Sequence, residues 1–276
     1  MVQGGFERRE QNGVIFYAVS FLEKTGLVKA AFTTRIGGVS SGEAASMNFS
    51  LKRKDEPGNV RENYRRICAA AGFTTGGLAV SGQVHGTYIH EVTDAEIGRS
   101  LFDDFKSVEA DGLMTNRRGI ALMKQTADCV PVYILDRKTP AIALAHAGWR
   151  GTLGGIAGAA LRRMADVYGT KPEDCLAAIG PSIGPCCFEV GGDVAELFES
   201  RFPGWSLVDA SGMLPRVDLW RCNAMQLMEA GISNENIAVA GLCTACDTGT
   251  FYSHRKEKGR TGAMAAIIEL QNPPCR

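Results

Sequence analysis

The sequence has no excess of charge of either sign, no long apolar run and none of the common nucleotide or zinc-protease signatures. Thirty Lys plus Arg balance thirty Asp plus Glu for a formal net charge of zero. No block of like charges breaks that balance, which disfavours a nucleic-acid partner or an anionic membrane surface. No apolar stretch approaches the roughly 18 residues a bilayer requires. The opening MVQGGFERREQNG carries both signs of charge and no apolar h-region. These absences predict a cytoplasmic protein with no membrane contact. The patterns G-x-x-x-x-G-K-[ST], strand-linked G-x-G-x-x-G and H-E-x-x-H are all missing, so a nucleotide or metal site would have to be of another kind.

What is present suits one compact unit spanning 1–276, long enough to bury a substantial core. Nine cysteines are an odd number in a chain that needs no disulfide framework, and they read as mostly reduced. Glycine, 33 of 276 residues, is well above the usual share of about 7 per cent, as where backbone approaches something closely. Strand-like runs fall at Val14 to Val19, Leu27 to Phe32, Leu78 to Val80, Tyr88 to Val92, Ile120 to Met123, Val130 to Leu135, Ala141 to Ala145, Leu176 to Ile179, Ile237 to Leu242 and Ala263 to Ile268. Helical periodicity is clearest over Thr152 to Gly169, with weaker patterns at Asn59 to Ala71, Asp193 to Phe202 and Asp218 to Ala230. Several strands follow one another after short turns, as at 119 to 123 and 130 to 135, so antiparallel pairing is expected. The expected class is α/β (α+β), with mixed β-sheets flanked by helices rather than a purely parallel doubly wound sheet.

Gly180-Pro181-Ser182-Ile183-Gly184 fits G-x-S-x-G, but a nucleophile elbow opens directly into a helix. Pro185, Cys186 and Cys187 follow instead, and a turn is expected there. The four histidines are more informative. His85 lies beyond a strand-like run and His146 ends one, while Cys129 opens another. His90, five residues after His85, would point to the opposite face of a straight strand. His85, Cys129 and His146 would make a three-ligand zinc centre with a fourth position open to solvent. The same residues also fit a cysteine nucleophile with a histidine base, or a buried cysteine beside a hydrogen-bonded core histidine. Their intervals of 44 and 17 residues match no short zinc pattern, so spacing leaves all three open. Arginines in two glycine-bearing loops, Arg35 in TTRIGGVS and Arg150 in GWRGT, suit an anion such as phosphate. Phe251-Tyr252-Ser253-His254-Arg255 could stack on and polarise a base. Cys243-Thr244-Ala245-Cys246 lacks a second C-x-x-C, and it and the vicinal Cys186-Cys187 pair read as structural.

Taken in order, TTRIGGVSSG, GQVHG, ADGLMT, TADCVPV, AHAGWRGT, GPSIGPCCFEVG and CTACDTGTFYSHR closely resemble the laccase-domain family from Ala31 to the C-terminus. Its members, once named polyphenol oxidases, are regarded as zinc-dependent purine nucleoside phosphorylases and also called peptidoglycan editing factor. The resemblance implies a fold distantly like cysteine deamidase toxins and a Zn²⁺ ion held by His85, Cys129 and His146, copper being the less favoured metal. It also implies phosphorolysis of adenosine, inosine, guanosine and methylthioadenosine, and hydrolytic deamination of adenosine. In that chemistry Asp128 would shuttle a proton, Arg35 and Arg150 would hold phosphate, and Gln83, His254 and Arg255 would contact the base. Cys246 departs from the family pattern in a stretch expected to vary. Three rivals carry different expectations: a hydrolase editing a UDP-muramoyl precursor, a copper phenol oxidase, and a metal-bound scaffold with an occupied fourth position, His254 for example. Four histidines are too few for a multicopper centre, which disfavours the oxidase.

Overall fold

The computed structural model describes residues 1–93 and 108–272; Cys275 lies outside them. The strands are β1 (Val2–Gln3), β2 (Glu7–Gln11), β3 (Val14–Ala18), β4 (Val28–Thr33), β5 (Leu78–Ala79), β6 (Ile89–Glu91), β7 (Gly112–Thr115), β8 (Ala121–Thr126), β9 (Val130–Asp136), β10 (Ala141–Ala147), β11 (Cys175–Ile179), β12 (Val208–Asp209), β13 (Arg216–Val217), β14 (Ile237–Val239) and β15 (Met264–Leu270). The helices are α1 (Ser20–Glu23), α2 (Pro57–Ala71), α3 (Trp149–Leu153), α4 (Ile156–Tyr168), α5 (Gly192–Arg201) and α6 (Leu219–Glu229).

Two mixed sheets form the centre. A seven-stranded sheet runs β1-β14-β11-β9-β10-β7-β6, a six-stranded one runs β2-β3-β4-β15-β8-β5, and β12 and β13 make a separate ribbon. Antiparallel pairs occur, as in the consecutive β9 and β10 and the distant β4 and β15, beside parallel pairs such as β6 with β7. The runs at 119 to 123 and 130 to 135 do not pair: β8 belongs to the six-stranded sheet and β9 to the seven-stranded one. The mixed α+β expectation holds. Alternation explains the layering. Along β9, Val130, Val132 and Ile134 pack with α4 and α6 residues, whereas Tyr133 and Leu135 pack with Phe32, Leu122 and Ile268 of the other sheet. Tyr133 also donates its hydroxyl to Ala31 O across the two sheets, at 2.9 Å. The far face of the six-stranded sheet is covered by α2 through Val60, Tyr64 and Ile67. Helices therefore flank both sheets, and β9 is buried along its whole length.

Helix α4 follows its pattern, burying Ile156, Ala157, Ala160, Leu161 and Met164 while Arg162 and Arg163 face solvent. The single helix expected from Thr152 is instead two, because Gly155 adopts φ 83° and breaks the chain between α3 and α4. Strand β2 has no apolar alternation to announce it: all five residues of ERREQ are exposed on a sheet edge. Such charges discourage pairing with a further strand. No described helix is long and apolar enough to cross a membrane.

Candidate metal centre

Antiparallel register brings the first two candidates together. His146 lies opposite Pro131, and Ala147 opposite Val130. Cys129, just ahead of β9, and His146, near the end of β10, thus emerge at the same end of the sheet. His85 reaches that end from the loop before β6. The donor atoms of His85, Cys129 and His146 all lie within 4.8 Å of one another. The two imidazoles meet edge to face with centroids 5.1 Å apart.

Asp111, completely buried ahead of β7, holds both histidines. Its Oδ1 accepts from His146 Nδ1 at 3.0 Å and from the His85 backbone N–H at 3.0 Å. Its Oδ2 accepts from the Gly86 and Val84 amides at 2.7 and 3.1 Å. Burial opposes its charge, but the His146 bond and these amides outweigh it and hold the carboxyl down at about 2. An ionised carboxylate can only accept, so the shared proton sits on His146 Nδ1 and Nε2 keeps its lone pair. Burial pushes His146 below its ordinary value and favours the neutral ring a metal requires. Sequence reasoning missed Asp111; its one signal was membership of the ADGLMT motif.

Burial, with the charges of Asp128 and Asp111, pushes the Cys129 thiol up to about 12. A free cysteine nucleophile needs the opposite, an electropositive setting, whereas a bound cation would hold this sulfur as thiolate. Glycine is obligatory beside the group: a Cβ on Gly148 would lie 2.8 Å from His85 Cδ2 and 3.2 Å from Cys129 Sγ. Two imidazoles, one backed by a carboxylate, and one thiolate form a borderline-soft set that fits a divalent metal such as zinc.

A cavity of about 770 Å³ opens over the three donors and is lined by Gln83, Asp128, Arg150, His254 and Arg255 as well. Its size suits a small organic ligand. The expected site residues divide within it. Arg150 stacks on Trp149 at 4.3 Å, and its guanidinium makes no ion pair among the described residues. Asp128 has both oxygens occupied, by Thr244 Oγ1 at 2.6 Å and the Arg255 amide at 2.7 Å. The Gln83 side chain is tied to the Gln125 main chain at 2.8 and 3.0 Å. Arg255 lies over Phe188 and donates to Glu189 O at 2.6 Å. Arg35 lies elsewhere. It is absent from the cavity wall, and its guanidinium instead bonds Ala45 O, Thr248 O and Glu257 and stacks on Tyr252. His85 and His90 both line the cavity, and no straight strand joins them. His85 lies outside β6 with φ 62°, so strand alternation does not extend between them. Arg53, which the sequence did not single out, joins the wall. Ser182 is buried in a turn, accepting from Trp220 Nε1 at 2.6 Å, and no helix follows it directly.

Residues 29–271 match the family model described as multi-copper polyphenol oxidoreductase laccase. The chain belongs to this laccase-domain family. The laccase-domain chain is 38% identical over 247 residues to a protein of Geobacillus stearothermophilus named purine nucleoside phosphorylase YlmD, covering 87% of this chain and 89% of that one. It is 34% identical to the Escherichia coli protein named purine nucleoside phosphorylase YfiH, covering 88% and 94%. It is also 34% identical to human purine nucleoside phosphorylase LACC1, covering 87% of this chain and 55% of the human one. The crystal structure of YlmD from Geobacillus stearothermophilus superimposes with a TM-score of 0.90 at 34% identity, covering 98% of this chain and all of that one.

Proposed function

We propose that this laccase-domain protein is a zinc-dependent purine nucleoside phosphorylase that also deaminates adenosine. Its substrates on this reading are adenosine, inosine, guanosine and methylthioadenosine. Phosphate would displace the purine from C1′ to leave the free base and a pentose 1-phosphate. The observation that carries the reading is the His85, Cys129 and His146 donor set opening on a cavity with an arginine free of ion pairs among the described residues. The names of the relatives support the substrate class.

When bound, zinc supplies Lewis acidity at the cavity floor. The chain's own residues supply the rest. Arg150, its guanidinium carbon 4.3 Å from the Trp149 ring centroid, would present a cation to phosphate. His254, exposed on the cavity wall, would hydrogen-bond the departing purine. Arg255, over Phe188 on the same wall, would contact the same base. Asp128 orders the loop carrying Arg255 and is the carboxylate beside Cys129 available to move a proton in deamination. Gln83 shapes the wall, and Arg35 serves structure rather than phosphate.

The test is incubation of the zinc-loaded full chain with adenosine, with and without phosphate, beside Cys129→Ala. Adenine formed only with phosphate establishes phosphorolysis, and inosine formed in either case establishes deamination. Cys129→Ala should lose both zinc and turnover. If neither product forms while zinc is bound, nucleoside chemistry is refuted and a muramoyl-precursor hydrolase becomes the reading to assay.

A further inference from the structure

Away from His85, Cys129 and His146, the fold gathers four further cysteines. The Sγ atoms of Cys186, Cys187, Cys243 and Cys246 all lie within 4.8 Å of one another. Cys246 Sγ is 3.5 Å from Cys186 Sγ and 3.4 Å from Cys187 Sγ. Two hydrogen-bonded turns present the pairs: Cys187 N donates to Gly184 O at 3.0 Å, and Cys246 N to Cys243 O at 3.3 Å. The turns are joined by a parallel bridge between Ser182 and Cys243, with Thr244 N donating to Ser182 O at 3.1 Å. The partner that Cys243-Thr-Ala-Cys246 lacks in sequence is therefore the vicinal pair, delivered by a different loop.

These separations are far beyond the roughly 2.05 Å of a disulfide. They are close to the edges, about 3.8 Å, of a tetrahedron with metal–sulfur bonds of about 2.3 Å. The Gly184 N–H donates to Cys243 Sγ at 3.2 Å, the kind of bond that favours a thiolate. Gly184 itself has no room for a side chain, since a Cβ would lie 2.8 Å from Trp220 Cη2 and 3.3 Å from Cys186 Sγ.

We propose that Cys186, Cys187, Cys243 and Cys246 bind a second zinc-class divalent cation as a tetrathiolate, closed to substrate and structural in role. Four protein sulfurs fill a tetrahedral shell, and the thiol protons go to solvent. The ion would clamp together the two loops that carry Ile183 and Phe188, on one side, and His254 and Arg255, on the other, into the cavity wall. Thr244, inside the C-x-x-C, bonds Asp128 beside Cys129, so the clamp also steadies the first centre.

The proposal does not depend on nucleoside chemistry. Full-length Cys129→Ser/His146→Ala protein, supplied with zinc alone and freed of loose metal, should retain one equivalent of zinc by elemental analysis. Adding Cys243→Ser and Cys246→Ser should remove that equivalent. Cobalt(II) in the Cys129→Ser/His146→Ala protein should give the strong thiolate-to-cobalt charge-transfer and tetrahedral ligand-field bands of a four-sulfur site, a readout that survives if the cysteine variant fails to fold. Absence of metal and of those bands, or a disulfide among the four cysteines in protein purified under reduction, would overturn the proposal.

Discussion

Replacing Asp111 by Asn tests the first centre most directly, because it removes charge and one acceptor while keeping shape. The carboxylate accepts four hydrogen bonds, two at each oxygen. A carboxamide offers one oxygen and sets its NH₂ against the other two donors. If the oxygen faces Val84 and Gly86, the NH₂ meets His146 Nδ1, which must then move its proton to Nε2, the atom a metal needs. If the oxygen faces His146, two backbone N–H groups of the His85 loop are left unpaired. Either way zinc affinity should fall about 10- to 100-fold, or about 1.4 to 2.7 kcal/mol. Each of these part-buried donors left without a partner should destabilise the metal-free fold, by no more than the roughly 1–3 kcal/mol of a fully buried one. Competition with a chromophoric chelator measures the first effect, and denaturant unfolding of metal-free protein the second. A folded Asp111→Asn protein with parental zinc affinity would refute the role assigned to the carboxylate.

Gly148→Ala should lose metal without unfolding, since the atoms nearest the new Cβ belong to His85 and Cys129; elemental analysis beside circular dichroism checks this. Arg150→Ala should raise the KM for phosphate about tenfold or more, the loss of a charge-assisted contact of roughly 1.5–3 kcal/mol. Arg35→Ala should leave that KM unmoved while lowering the melting temperature, because its bonds all go to the protein; the reverse pattern would exchange their roles. Lys124 is buried, donating to Ala110 O at 2.6 Å, and burial brings it from 10.5 down to about 7. Between those values the unfolded chain holds a proton the native one has released, so this residue makes stability rise with pH from about 7 towards 10. Lys124→Met should flatten that part of the profile in urea titrations, and an unchanged slope would show that Lys124 stays charged in the fold.

Much of the architecture was legible because burial writes itself into local pattern. The alternation in β9 and the three- and four-residue spacing in α4 record which face meets another layer. Strand β2 carried no such record, since its exposed edge selects charge rather than alternation. The break at Gly155 was hidden for another reason: a helical apolar stripe continues across it, and only the positive φ shows the interruption.

The site divides along the same line. Residue types and strand-end positions marked His85, Cys129 and His146 from the sequence alone, with three chemistries still open. The register of β9 on β10 and the buried Asp111 then supplied what those positions could not, a shared anchor that orients one imidazole and seats the loop of the other. Arg35 and Arg150 look equivalent as arginines in glycine loops, and only the fold places one in a protein-bonded network and the other on the cavity wall. The pairing of Cys186 and Cys187 with Cys243 and Cys246 is likewise a property of two loops meeting. Local sequence determines which face of an element is buried, because that depends on neighbours a few residues away. Which polar groups converge depends on sheet order and register, set by the whole core at once.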